Sequence, residues 1–254
     1  MCILRLVYTL IMDKLDIIGV PILVQGEKLF KHVAAIDVPL KRYYIIDNSE
    51  GRDPSVREAI DEILDNPPDN IEEIIVVENN LNAGFAGSVN QMIRDNTDCD
   101  HWIVAGFDWW PKPTEYAEIF SAPVDLTHGA FLGMGIDRFT AFMFTPELVD
   151  KVGLLDENFF PGYFEDNDYC RRIDLAGLVV PTIALEAEHD RSSTLHSSAH
   201  FERRNQYTFD RNYAYYLQKW GGNPEHELFK APFNKDLPLD YWKFDPVRRE
   251  TMRW

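Results

Sequence analysis

Residues 159–172 read F-F-P-G-Y-F-E-D-N-D-Y-C-R-R, and three acids in this stretch, Glu165, Asp166 and Asp168, stand directly behind an aromatic turn of Phe159, Phe160, Tyr163 and Phe164. Acids in the first turn of a helix are favoured by its dipole, so a well-capped helix start would account for them. The aromatic wall adds chemistry. Carboxylates beside apolar rings lose hydration and their pKa rises, which suits one of them to accepting a proton near neutral pH. Asp168, the last of the three, has the place of a helix cap.

Four other stretches carry reactive or ligand-binding residue types. Asp47-Asn48-Ser49 ends a strand with a hydrogen-bond-accepting carboxylate, although Asx and Ser residues also close ordinary turns. Residues 82–90, N-A-G-F-A-G-S-V-N, have the glycines (Gly84, Gly87) of a phosphate cradle ahead of a helix start at Ser88, and helix N-termini attract anions. There is no G-K-[ST] and no G-x-G-x-x-G, and a G-F-A-G alone equally serves tight helix–strand packing. Residues 106–111, G-F-D-W-W-P, carry the acid Asp108 just past a strand. Trp109 and Trp110 beside it read as core or as flat faces for stacking. Finally, E-A-E-H-D-R-S-S-T at 186–194 supplies His189, with His196 as a weaker alternative and Arg191, Ser192 and Ser193 as phosphate contacts.

The elements that must position these residues alternate. The apolar run 17–24 reads as a strand buried on both faces, 28–36 as a helix through Leu29, Val33 and Ile36, and 43–46 as a strand ending at Asp47. A helix over 54–64 with Asp53 as its cap, a strand over 71–77 and a helix from Ser88 follow. Strands at 101–105, 140–144 and 178–185 are interleaved with helices at 146–152 and from the acids to Gly177. A long aromatic-striped helix, 200–220, stops at Gly221-Gly222, its stripe expected to pack on the sheet. The alternation predicts an α/β fold, a mostly parallel sheet covered by helices on both faces. Ligands of such sheets bind beyond the carboxyl ends of the strands, at Pro21 and Ile22, Asp47 to Ser49 and the loop to Gly87.

With 254 residues, 45% hydrophobic and 26% charged, the composition is that of an ordinary globular chain. Residues 13–222 read as one domain and 223–254 as an extension packed on it. The formal charge of −17 argues against general affinity for nucleic-acid backbones. Cys2, Cys99 and Cys170 are odd in number and far apart, with no zinc spacing, which fits a reducing, cytoplasmic home. Residues 1–12 are apolar but too few to span a bilayer, and read as an appendage or an upstream-start artefact, so no stable membrane span is expected.

The D-N-S strand end, the 82–90 loop and V-G-L-L-D-E-N-F-F at 152–160 leading into the acids together resemble family 2 glycosyltransferases, particularly the rhamnosyltransferase-like branch. The resemblance runs from about Ile17 to Trp220. It implies a GT-A-type, Rossmann-like fold and an inverting hexosyltransferase using a UDP- or dTDP-sugar and a divalent metal, Mn²⁺ or Mg²⁺. It also implies site roles. Asp166 would be the catalytic base with Glu165 beside it; Pro21, Ile22, Asp47, Asn48, Asn82, Gly84, Phe85 and Phe107 would bind the donor. Trp109 and Trp110 would lie on the acceptor side, and Asp108 with His189 would hold the metal. The chain departs from the family's D-x-D, because Gly106 stands where the first acid is expected. That departure keeps a nucleotide-sugar-binding protein without catalysis in view as the alternative, with a nucleotidyltransferase on a similar sheet as a third reading. The acceptor is open: a glycan, a protein side chain or another hydroxyl compound, with a modified nucleobase disfavoured by the acidic surface.

Overall fold

The computed structural model describes residues 13–133, 139–190 and 198–252. Expectations for residues 1–12, Arg191, Ser192, Ser193 and His196 therefore lie outside the described residues. Strands β1 (Leu15–Ile22), β2 (Leu40–Asp47), β3 (Ile71–Glu78) and β4 (Trp102–Ala105) are joined by helices α1 (Glu27–Ala34), α2 (Pro54–Asp65) and α3 (Gly84–Asp95). Then come β5 (Trp109–Pro111), α4 (Glu118–Ser121), β6 (Ala130–Leu132), β7 (Ala141–Phe144), α5 (Pro146–Val152) and α6 (Glu165–Leu175). The chain continues through β8 (Thr182–Ile183), β9 (Ala187–His189), α7 (Ala199–Trp220) and α8 (Pro246–Met252). No helix among the described residues is long and apolar enough to cross a membrane.

The main sheet has the order β3-β2-β1-β4-β7-β6-β8. The first four are mutually parallel, β7 runs against both neighbours, and β6 pairs with β8 in parallel. One face is covered by α1 and α2 through Leu29, Val33, Val56 and Ile60, the other by α3, α5 and α6 through Val89, Met92, Leu148 and Tyr169. Burial on both faces explains why β1 reads as an unbroken apolar run. The N-cap of α2 is Asp53, which accepts from Ser55 N at 3.0 Å and also from Gln25 N at 3.1 Å, joining α2 to the end of the first strand–helix turn.

Three sequence expectations are corrected. The strand foreseen over 178–185 contracts to Thr182–Ile183, because Leu178 to Pro181 approaches the sheet only at Pro181, whose carbonyl accepts from Phe131 N. The aromatic stripe of α7 packs against the turn before α6 and not on the sheet: Phe159, Phe164, Tyr216 and Trp220 form a separate small core. Asp168 is no cap. It is wholly buried between α6 and α7, paired with Lys219 at 2.7 Å and Arg172 at 2.9 Å, and accepts from Trp220 Nε1 at 2.8 Å. Lys219 also meets Asp156 at 2.7 Å, and Arg172 donates to the carbonyls of Val152 and Leu154. Burial alone would raise the Asp168 carboxyl; the charges of Lys219 and Arg172, with hydrogen bonds from Lys219 and Trp220, outweigh it and hold the group low.

Removing one partner from such a cluster leaves uncompensated charge in the interior. Lys219→Met, which takes the cation from Asp156 and leaves Asp168 with Arg172 alone, should lower unfolding free energy by about 3–5 kcal/mol in a urea titration. Lys112→Met, which breaks an exposed pair with Glu186, should leave the midpoint nearly unmoved.

Candidate active site

The four parallel strands β1 to β4 end on one edge of the sheet, and the candidate residues gather there. Helix α6 precedes β8, which runs parallel to β6 and hence to β1, so α6 begins at that same edge. The turn before α6 confirms the placement: Pro161 O accepts from Phe85 N, at the start of α3, at 2.7 Å.

At the end of β2, Asp47 Oδ1 closes its own turn by accepting from Ser49 N at 2.7 Å. Asn48 lies at the centre of a joint. Its Oδ1 accepts from Ala83 N and from Asn79 Nδ2, both at 3.0 Å, and its Nδ2 donates to Ser88 Oγ at 2.8 Å. Asn82 Oδ1 accepts from Gly84 N at 2.7 Å, and Glu50 Oε1 accepts from Asn82 N at 3.0 Å. Helix α3 thus begins at Gly84, a turn earlier than Ser88, and the amides of residues 82 to 85 all donate to protein acceptors. The phosphate-cradle expectation is corrected for these amides: the glycine-rich loop joins β2, α3 and the turn before α6. Gly84 has φ +72°, and a Cβ on it would come within 2.7 Å of the Phe160 ring and 2.9 Å of Pro161 O. That close approach, and not a ligand, demands glycine here.

The carboxylates at the start of α6 sit in contrasting surroundings. Glu165 is buried, and its Oε2 has no hydrogen-bond partner among the described residues. Burial first, then the charge of Asp166 and more weakly that of Asp168, pushes the Glu165 carboxyl well above its ordinary value. Asp166 is half-buried; burial raises its carboxyl too, against the backbone amides of Asn167, Asp166 and Phe164, and its Oδ1 accepts from Asn167 N at 2.8 Å. The structure therefore shows desolvated carboxyls behind the aromatic turn, as the sequence suggested.

Beyond β4, Asp108, just before β5, and His189, at the end of its partner β9, approach each other, Oδ1 to Nε2, at 3.7 Å. Two ligands of one Mg²⁺ ion at right angles would stand about 3 Å apart, so the pair needs only a small closing movement to share a cation. Among the described residues no group of three or more His, Cys, Asp and Glu side chains forms a fuller cage. The pair fits a hard cation only if ligand oxygens or water complete the set. Gly106 has a local reason: a Cβ there would stand 3.0 Å from Asp108 Oδ1.

Several expected contacts are buried. Ile22 and Phe107 belong to the core, while Pro21 is half-buried on the strand beside Asp47. The indoles of Trp109 and Trp110 are 3% and 8% exposed. Trp109 stacks edge-on against Tyr116; Trp110 donates from Nε1 to Lys28 O at 3.3 Å and lies under Lys31 at 4.7 Å. The expected stacking faces are therefore corrected to packing residues.

Three contributors were not singled out in the sequence. Asn79 completes the Asn48 joint. Asn212 of α7 donates from Nδ2 to Gly162 O at 2.7 Å, steadying the turn that leads to Glu165. Arg249 of α8 donates to Ala83 O, lies over the Phe160 ring at 5.0 Å and faces Glu157. Isolated Asn and Arg residues in a helix or tail carry no signature by which to find them.

The sequence matches no protein-family model and no curated protein. Among solved structures, the crystal structure of GalNAc-T7 with UDP, GalNAc and Mn²⁺ superposes with a TM-score of 0.59 at 12% identity. The fold is GT-A. The match covers 83% of this chain and 49% of GalNAc-T7, so the chain spans about half the length of that protein. Looser likenesses link this GT-A chain to S. aureus TarS 1–349 in complex with UDP-GlcNAc (TM-score 0.49, 11% identity, 70% of this chain and 61% of that one). Another is to the inositol-1-phosphate CTP transferase from T. maritima (0.47, 12%, 79% and 97%).

A carboxyl held up in the folded GT-A chain keeps its proton after the unfolded chain has released one, so stability falls as pH rises past the unfolded value of about 4.3. Glu165→Gln removes that penalty. Its melting temperature should exceed the parent's at pH 7, with the gain vanishing below about pH 4. Equal melting temperatures at pH 7 would show that Glu165 is not held in this way.

Proposed function

We propose that this chain is a glycosyltransferase that moves a sugar from a UDP- or dTDP-linked donor to an acceptor hydroxyl with inversion, in the manner of the rhamnosyltransferase-like branch it resembles. The observation that carries this reading is the desolvated Glu165–Asp166 pair, placed on the same sheet edge as Asp108 and His189 in a GT-A fold. A raised carboxyl is a better base at neutral pH than an ordinary one. Asp166 takes the proton of the acceptor hydroxyl; the acceptor oxygen forms the new bond at the anomeric carbon as the bond to the nucleoside diphosphate breaks. Glu165, holding its proton, orients the acceptor as a donor of a hydrogen bond.

Asp47 supports the nucleotide: its Oδ1 is engaged with Ser49, which leaves the second oxygen to accept from the base or the ribose. Asn48, Asn82, Gly84 and Phe85 act behind it by fixing the loop against Asp47. Asp108 and His189 would hold Mn²⁺ or Mg²⁺, which when bound neutralises charge on the leaving diphosphate. The structure of GalNAc-T7, a protein of similar fold, with UDP, GalNAc and Mn²⁺ supports a nucleotide donor together with a divalent metal. A glycan or a protein side chain is the acceptor; a modified nucleobase is disfavoured by a net charge of −17. The absence of a third side-chain donor near Asp108, among the described residues, favours one second reading, a nucleotide-sugar-binding protein without transfer.

A thermal-shift panel of UDP, dTDP, GDP and CDP, with and without Mn²⁺, tests donor and metal together. Nucleotide at about 100 times its dissociation constant adds roughly 2.7 kcal/mol, and the shift should be confined to UDP or dTDP with metal. Asp108→Ala should erase the metal-dependent part. Asp166→Asn should keep the nucleotide shift and lose about 10²- to 10⁴-fold in transfer rate. Normal turnover in that variant would sink the base assignment, and binding without turnover in the parent would favour the second reading.

A further inference from the structure

A second site lies away from the carboxylates, between α7 and the segment that leads into α8. A cleft of about 600 Å³ there is walled by Arg211, Lys235, Lys243 and Arg248 and by the rings of Tyr215 and Tyr241. The chain as a whole carries −17, yet the acid lining this cleft is Asp245 alone. Asp245 is engaged as the cap of α8, its Oδ1 accepting from Val247 N and Arg248 N at 3.0 Å.

Among the described residues none of these cations makes an ion pair, although Asp156 and Asp245 act on Arg248 at longer range. Lys235 and Lys243 are exposed and have no side-chain hydrogen bond or ion pair among the described residues. Arg211 Nε is buried without a hydrogen-bond partner among the described residues, and its guanidinium lies 5.4 Å from the Tyr207 ring centre. Arg248 is fixed over Tyr215 at 4.8 Å by Asn158 O, Arg211 O and Asn212 Oδ1. Grouped cations repel one another unless an anion joins them.

The geometry points to a binding site for an anionic oligosaccharide, whose carboxylate or phosphate groups meet the cations while a sugar C–H face lies on the exposed Tyr241 ring. The volume suits a few sugar residues and falls in the range of small-ligand pockets. The net charge of −17 disfavours a nucleic-acid strand as the occupant. Asn212 connects this cleft to the carboxylates: it receives Arg248 at Oδ1 and donates from Nδ2 to Gly162 O, three residues before Glu165. Resting on the glycosyltransferase reading, the cleft is the acceptor's anchoring subsite, with the acceptor chain running along α7 toward Asp166.

Isothermal titration of the full chain distinguishes the possibilities. The probes are tetragalacturonate, phosphorylated maltotetraose, neutral maltotetraose and a short single-stranded oligodeoxynucleotide. One of the two anionic sugars should bind, more weakly as NaCl rises from about 20 mM to about 0.5 M. The exposed double variant Lys235→Gln/Lys243→Gln should weaken it by about tenfold or more while leaving melting temperature and the UDP–Mn²⁺ shift unchanged. Arg211→Gln should act in the same direction. Binding of neither anionic sugar, equal binding by the double variant, or tighter binding of the oligodeoxynucleotide would overturn the assignment. No donor enters this titration, so a silent nucleotide panel alongside intact sugar binding would remove the transferase reading and leave the cleft.

Discussion

The buried cluster of Asp156, Lys219, Asp168 and Arg172 is the constraint on which the rest of this molecule depends. All four side chains are withdrawn from water, and each charge is met by its opposite. Taking ions out of water costs several kcal/mol apiece, recovered only when geometry and hydrogen bonding are nearly complete. The reward is position. Lys219 holds the D-E-N-F-F loop and α6 to the last turn of α7, and Arg172 ties α6 to the carbonyls that end α5. The aromatic turn is thereby pinned between two helices, and with it the start of α6.

That pinning explains how neighbouring acids come to differ. Asp168 and Glu165 are one helical turn apart and both buried, but Asp168 faces two cations and a Trp N–H while no cation faces Glu165 among the described residues. Environment, not residue type, separates their proton affinities in opposite directions. Pairs of titratable groups driven apart in this way are how one scaffold keeps an acid and a base side by side.

Much of the fold was legible because it rests on local rules. The apolar run of β1, the Asp53 cap and Gly221 after α7 each follow from a pattern within a few residues, and the strand–helix alternation led to the right sheet. The candidate edge was legible for the same reason, since the ends of parallel strands follow from their order. What could not be read were roles set by residues distant in sequence. Asp168 has the look of a cap until Lys219 is seen opposite it. The 82–90 loop has the look of an anion cradle until Asn48 and Pro161 are found receiving its amides. Trp109 and Trp110 differ from stacking rings only by what covers them.

Arg249 gives the loop that follows β3 a dependence on the far end of the chain. It donates to Ala83 O across 166 positions of sequence and lies over Phe160. During synthesis the β1–β4 half emerges first, and domains assemble in that order as the chain leaves the ribosome. The loop can meet its final partner only after residue 249 has emerged, so the early half waits with one wall of the site unbraced. The brace that Arg249 gives this loop is thus open to the chain only once α8 has been made.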